Sequence, residues 1–245
     1  MKKIFEQNLS KLVNYSVYEV APKIYAAVVP DDYERAMLFC RVQEYYESPF
    51  PEFRGRDFCI FEYMNHYRKD RQLNHFSYTA DWGGYNVPSE SIEACLNGID
   101  EWRLTAYDHE MMNLVYQIRS QQKRGKFYLI GVDSLDSRTM DHELAHGFFY
   151  TNKEYKTEIL ELVLALKSSL HDDFSDYLVQ MGYDKSVIAD EIQAYLSTGM
   201  MATMAKIRGS LSVAKKFERV FKKYKKQYVK QSNKHRAEQQ ATEEV

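Results

Sequence analysis

Apolar and polar positions alternate along this chain mostly at helical spacing. The segment DDYERAMLFCRVQEYYES, residues 31–48, opens with acidic side chains after Pro30 and then repeats Ala36, Met37, Cys40 and Tyr45. That pattern predicts a helix, which Pro49 and Pro51 end. RDFCIFEYMNHYRK, residues 56–69, reads as a second, aromatic helix. The stretch TADWGGYNVPSES, residues 79–91, reads as turns, because Gly83, Gly84 and Pro88 break regular structure, and Ser89 is placed to cap the next helical segment. A helix over about Thr105–Ser120 is expected from Tyr107, Met111, Leu114, Val115 and Ile118.

The one strand the pattern predicts is in KRGKFYLIGVDS, where Gly125 marks a turn and Phe127 to Val132 forms a short apolar run. SLDSRTMDHELAHGFFY then starts a helix that Asp136, Ser137 or Thr139 could cap. After a break at Thr151 and Asn152, EYKTEILELVLALKSSL carries Ile159, Leu162, Val163, Leu166 and Leu170 on one face of a further helix. The expected fold is α+β and mostly helical, with a small β element. Its expected divisions are an N-terminal helical, aromatic-rich region over residues 1–120, a core over 121–212, a basic amphipathic helix over 213–236 and a disordered tail over 237–245.

Composition changes this picture little. With 33 basic against 35 acidic residues, the formal net charge of -2 argues for neither nucleic acid nor membrane. Cys40, Cys59 and Cys95 are odd in number and widely spaced, which indicates neither a disulfide framework nor a thiolate zinc site and suits a reducing compartment. No apolar run reaches signal-peptide or membrane-span length, so a cytoplasmic protein is expected. The exception to the even charge is AKKFERVFKKYKKQYVKQSNKHR, residues 214–236. Phe217, Val220, Phe221, Tyr224 and Tyr228 form an aromatic stripe there, with lysines on the other face. Such a helix either docks by its stripe or offers its basic face to acidic proteins, RNA or anionic lipid.

MDHELAHGFFY brings in the chemistry. On a helix, His142 and His146 lie one turn apart on the same face and can offer imidazole nitrogens to one Zn²⁺. Glu143, about 100° round the helix, can act as general base without being a ligand. A third ligand is required. In YDKSVIADEIQAYLSTGM, which Ser186 could cap, Val187, Ile188, Ile192 and Tyr195 mark an apolar face with Glu191 inside it. A buried carboxylate must be paired, protonated or metal-bound, which favours Glu191 over Glu158, His171 or Asp176.

HELAH at 142–146 followed by DEIQAY at 190–195 resembles the zincin metallopeptidases, in their gluzincin branch. No third histidine stands at the metzincin spacing. The likeness covers residues 126–200 and implies a zincin-like catalytic core. It implies His142, His146 and Glu191 as zinc ligands, Glu143 as general base, and a peptide or protein as substrate. It also implies that the strand FYLIGV is an edge strand able to pair with an extended peptide. Tyr195, Tyr150 and Arg138 are the candidates to stabilise a developing oxyanion, with Tyr195 preferred. Asp141 could orient a ligand or simply favour the helix N-terminus, and His66, His75 and His109 share no site. A zinc amidase or deacylase, or an inactive zincin-like binding or regulatory protein, are the competing expectations.

Overall fold

Strands that sequence periodicity did not announce form the centre of the molecule. The computed structural model describes residues 1–7, 12–121 and 125–243. In chain order these form β1 (Lys2–Gln7), β2 (Tyr15–Ala21), β3 (Ile24–Val28), α1 (Asp32–Glu47), α2 (Ile60–Asp70), α3 (Tyr78–Asp81), β4 (Tyr85–Pro88) and α4 (Ser89–Asn97). A 3-10 turn (Glu101–Arg103) precedes α5 (Ala106–Gln121), β5 (Tyr128–Val132), α6 (Arg138–Thr151), α7 (Lys153–Leu164), α8 (Ser168–Met181), α9 (Ile188–Thr198), α10 (Ala202–Ala205) and α11 (Ser210–Glu243). The fold is a mostly helical α+β fold with one small sheet.

The sheet order is β1-β2-β3-β5-β4. Neighbours are antiparallel except for β3 and β5, which run parallel from Ile24 opposite Tyr128 to Val28 opposite Val132. Pro22 and Lys23 turn β2 into β3, with Lys23 at a φ of 65° as a tight turn demands. Four strands therefore come from residues before 121, which were expected to be helices and turns, and the boundary expected at residue 120 runs through one sheet. β5 is an inner strand. The expectation that FYLIGV is the edge is corrected, because β4, read from sequence as a turn, lies outside it.

Side-chain alternation divides the core in two. Tyr25, Ala27, Phe127 and Leu129 face a cluster under α1, α2, α4 and α5, while Ile24, Ala26, Tyr128, Ile130 and Val132 face a second cluster under α6 to α9 and α11. A sheet buried on both faces loses the apolar-polar alternation by which a strand is recognised, so β5 reads as a continuous apolar run. The sheet and α6 are thus fixed to each other by the second core.

Most helix ends agree with the local chemistry. Asp31 caps α1 by accepting the Glu34 N–H at 2.8 Å, Ser137 caps α6 through Met140 N–H at 3.0 Å, and Asn152 caps α7 through Tyr155 N–H at 2.7 Å. Four boundaries differ from expectation: Pro88 rather than Ser89 stands at the N-cap of α4, with no side-chain cap. The helix predicted from residue 154 to 170 is broken between α7 and α8. Val187 rather than Ser186 stands at the N-cap of α9, because Ser186 is held by Asp184 Oδ1 at 2.9 Å through N–H and at 2.6 Å through its hydroxyl. The backbone of α11 runs on to Glu243, through most of the segment expected as a tail.

Phe217, Val220, Phe221 and Tyr224 of α11 are buried in the second core, so the stripe docks. Lys223 reaches Glu158 at 2.7 Å, and Lys225 donates to Asp141. Among the described residues no helix is long and apolar enough to cross a membrane, and all three cysteines are free.

Candidate metal centre

α6 leaves β5 through the Ser137 cap and lies across the sheet, while α9 packs along it. This crossing brings His142, His146 and Glu191 together, although they come from two helices separated by α7 and α8. His146 Nε2 stands 3.3 Å from His142 Nε2. Glu191 Oε1 lies 3.6 Å from His146 Nε2, and its Oε2 lies 3.7 Å from His142 Nε2. Donors bound tetrahedrally at zinc distances are separated by about 3.3–3.4 Å. The two histidine nitrogens have that spacing, and one donor atom from each of the three residues lies within 4.8 Å of the others, close enough to share one ion. They are the only set of three metal-capable side chains found close together among the described residues.

The donors also have the chemistry of ligands. Glu191 is 4% exposed and its Oε2 has no hydrogen-bond partner, although an unpartnered buried carboxylate oxygen is costly. A divalent cation would satisfy it, so the residues present fit a metal. His146 Nδ1 lies 3.0 Å from Asp190 Oδ1. With Nδ1 donating to that carboxylate, Nε2 is the nitrogen that faces the other two donors, and a cation bound there would take the place of its proton. Burial alone would push the His146 pKa down, but Asp190, Glu191 and Glu143 surround the ring and carry it well above the usual histidine range.

Glu143 sits beside the cluster without belonging to it. Its Oε2 accepts the Asn86 amide at 2.6 Å, and Asn86 in turn accepts the Tyr128 hydroxyl, which ties the glutamate to both β4 and β5. Burial raises the Glu143 pKa above the ordinary carboxylate range, against the pull of His142, His146 and Asn86. Gly84 permits this proximity, since a Cβ there would fall 2.5 Å from Glu143 Oε1 and 2.6 Å from Thr139 Cγ2. A larger residue there would have to displace the Glu143 and Thr139 side chains.

The sequence candidates separate cleanly. Tyr195 lies with its ring 4.5 Å from that of His142, and its hydroxyl is 3.1 Å from that of Tyr183. Arg138 lines the same outer cleft. Tyr150 is engaged elsewhere, donating to Glu90. Asp141 pairs with Lys225, so Asp190 rather than Asp141 orients a histidine of the cluster. Among the alternative third ligands, Glu158 pairs with Lys223 and Tyr224, His171 lies 3.7 Å from Asp172, and Asp176 lines a separate surface depression. His66 is set against Phe50 and Phe53 and is not part of the cluster.

Two cavities meet at His142. An outer cleft of about 560 Å³ is bordered by Arg138, Tyr195 and the Gly199–Ala202 turn, and a narrower inner pocket of about 80 Å³ runs under α1 to Glu44 and Glu47. Trp82, Gly84, His142, Glu143 and Tyr183 border both. The outer edge of β4 is not open: Asn86 N–H donates to Gln43 Oε1 of α1 at 3.0 Å, and Pro88 has no N–H to offer. Sequence reading missed Asn86, Asp190, Gly84, Tyr183, Glu44 and Glu47. Only Asp190, adjacent to Glu191, carried a sequence signal that could have revealed it. No protein-family model, curated protein or solved structure matches this chain.

Proposed function

We propose that this chain is a zinc-dependent metallohydrolase acting on a peptide bond. The carrying observation is the convergence of His142 Nε2, His146 Nε2 and the Glu191 carboxylate, with 3.3 Å between the two nitrogens, an unpartnered carboxylate oxygen and Glu143 alongside. The gluzincin-like order of HELAH and DEIQAY supports the same reading. His142, His146 and Glu191 would hold the ion, which when bound supplies Lewis acidity toward a carbonyl and acidity to a water.

The remaining steps belong to the protein. Asp190 holds the His146 ring in the tautomer that leaves Nε2 free. Asn86 fixes one Glu143 oxygen, so the other is left to take a proton from the attacking water and return it to the leaving amine. The raised pKa of Glu143 suits a base that must also act as an acid. The hydroxyls of Tyr195 and Tyr183, beside His142, are placed to donate to charge developing on the carbonyl oxygen. Because the β4 edge is closed by Gln43, the substrate is held by the walls of the two cavities instead of by main-chain pairing.

Elemental analysis of purified wild type, His146→Ala and Glu191→Ala tests the site. The expected result is about one zinc per chain in wild type and none in either variant. Glu143→Gln should retain zinc and lose at least about 10²-fold in hydrolysis of peptides from a mixed library. A wild type that takes up no zinc when supplied, or a Glu143→Gln variant of unchanged rate, overturns the reading.

A further inference from the structure

The inner pocket has more chemistry than a metal needs. Among the described residues, seven buried side-chain nitrogen or oxygen atoms have no hydrogen-bond partner. Four of them belong to residues that line this one pocket: Glu191 Oε2, the Tyr85 hydroxyl, Glu44 Oε2, whose carboxyl is met by the neutral hydroxyls of Ser48, Tyr63 and Tyr78, and Trp82 Nε1, beside Tyr67. A metal accounts for the first alone. Native proteins leave few such groups, and their clustering in one pocket points to a ligand that completes them.

The charge of the lining indicates what that ligand carries. Glu44, Glu47, Glu143 and Glu191 all border the pocket, and no lysine or arginine does. With a dication on the three ligands, Glu143 and Glu191 offset its charge, which leaves Glu44 and Glu47 without a counterion. Both lie on α1 at i and i+3, so their side chains share a face. Glu44 is 6% exposed. Glu47 is half-buried and accepts the Gln43 amide, itself neutral. Negative charge held in such surroundings requires a positive partner. The walls between them are aromatic, formed by Tyr78, Trp82, Tyr85 and Tyr183, whose faces also favour a cation.

We propose that this pocket is a specificity site for a cationic group of the substrate, a protonated amine or a guanidinium, received by Glu47 and Glu44 between aromatic walls. The inference rests on the metallohydrolase reading, since it places the reacting bond at the histidines and the cation on the α1 side of them. The Tyr85 hydroxyl then serves as a donor to the polar groups that accompany the cation. A basic side chain and a free chain terminus both present this chemistry.

Four hydroxamates distinguish these two sources: those of lysine and norleucine, each with a free and with an acetylated α-amine. All four carry the same zinc-binding group, and they differ in which cation is present. Calorimetry on the zinc-loaded protein is expected to show the compounds that carry one of the two cations, the lysine ammonium or the α-amine, binding at least about tenfold more tightly than N-acetylnorleucine hydroxamate. A gap set by the lysine ammonium identifies a basic side chain as the source; a gap set by the α-amine identifies a chain terminus. In Glu47→Gln and in Glu44→Gln the preference should shrink to about twofold or less. Equal binding of all four by wild type overturns the inference and leaves the metal reading standing. So does a preference that survives in both variants, and so does a zinc-loaded protein that binds none of them. Failure to load zinc at all overturns the metal reading, and this inference with it.

Discussion

Arg41 with Asp108, and His142 and His146 with Glu191, are two groups of ionisable side chains withdrawn from water in the same molecule. In the first, Arg41 Nε donates to Asp108 Oδ1 at 2.9 Å, and its two terminal nitrogens donate to the carbonyls of Phe58 at 2.5 Å and Arg103 at 3.1 Å. Asp108 Oδ2 accepts from Thr105 N–H at 2.6 Å and from its hydroxyl at 2.7 Å. Charge and hydrogen bonding are both complete. In the second, the carboxylate oxygens lie more than 3.5 Å from the ring nitrogens and one has no partner. A completed cluster ties α1 to α5 and the loop before α2; an incomplete one is where the proposed ion would complete the partners. Burial of charge alone does not separate structure from function, whereas the accounting of partners does.

The largest effect should come from breaking the completed cluster. Arg41→Ala leaves Asp108 buried without its counterion and should cost about 3–5 kcal/mol of unfolding free energy in urea, with or without zinc. A loss below about 1 kcal/mol would mean that the pair does not tie these elements together. Next in size is the response of the incomplete cluster to its ion. Free zinc at about 100 times its Kd should raise wild-type stability by about 2.7 kcal/mol, and Glu191→Ala should show no such gain. A similar gain in both proteins would place the zinc elsewhere.

Asp190→Ala tests the group that orients His146. Zinc affinity should fall by about 10–100-fold, because the ring loses the acceptor that fixes its tautomer. Competition with a chromogenic chelator reads this directly, and an unchanged affinity would exclude the orienting role. The smallest effect concerns Glu44, whose pKa burial raises above the usual carboxylate range. Its folded pKa exceeds its unfolded value, so the stability it contributes is full below the unfolded pKa and is lost as pH rises through the folded one. Glu44→Gln, which cannot ionise, should therefore melt above wild type at pH 7–8, with the difference closing toward pH 4. A difference that is constant with pH would contradict this assignment.

The cluster of His142, His146 and Glu191 was largely legible because each half is a local pattern. HELAH places two histidines on one helical face, and Glu191 interrupts an apolar stripe where a carboxylate has no other reason to be. Ser137, Asn152 and Asp31 were legible as caps or breaks for the same local reason. The strands were not, except for Phe127 to Val132. YSVYEVA does alternate, and its first residues are alternately buried and half-buried, but its polar positions resemble those of the helices around it. β4 was hidden by Gly83, Gly84 and Pro88, residues that signal a turn when isolated and here serve close approach to Glu143 and an edge with no N–H.

By itself the sequence determined the periodicities, the mostly helical α+β character and the two halves of the donor set, because helix faces and caps depend on neighbours within a few residues. Tertiary structure alone decided that the first strands share a sheet with β5, that Asn86 holds Glu143, and that α1 closes the β4 edge and brings Glu44 and Glu47 under the histidines. Those relations join residues tens of positions apart through hydrogen bonds and packing, and no local spacing encodes a contact that exists only once the sheet has formed.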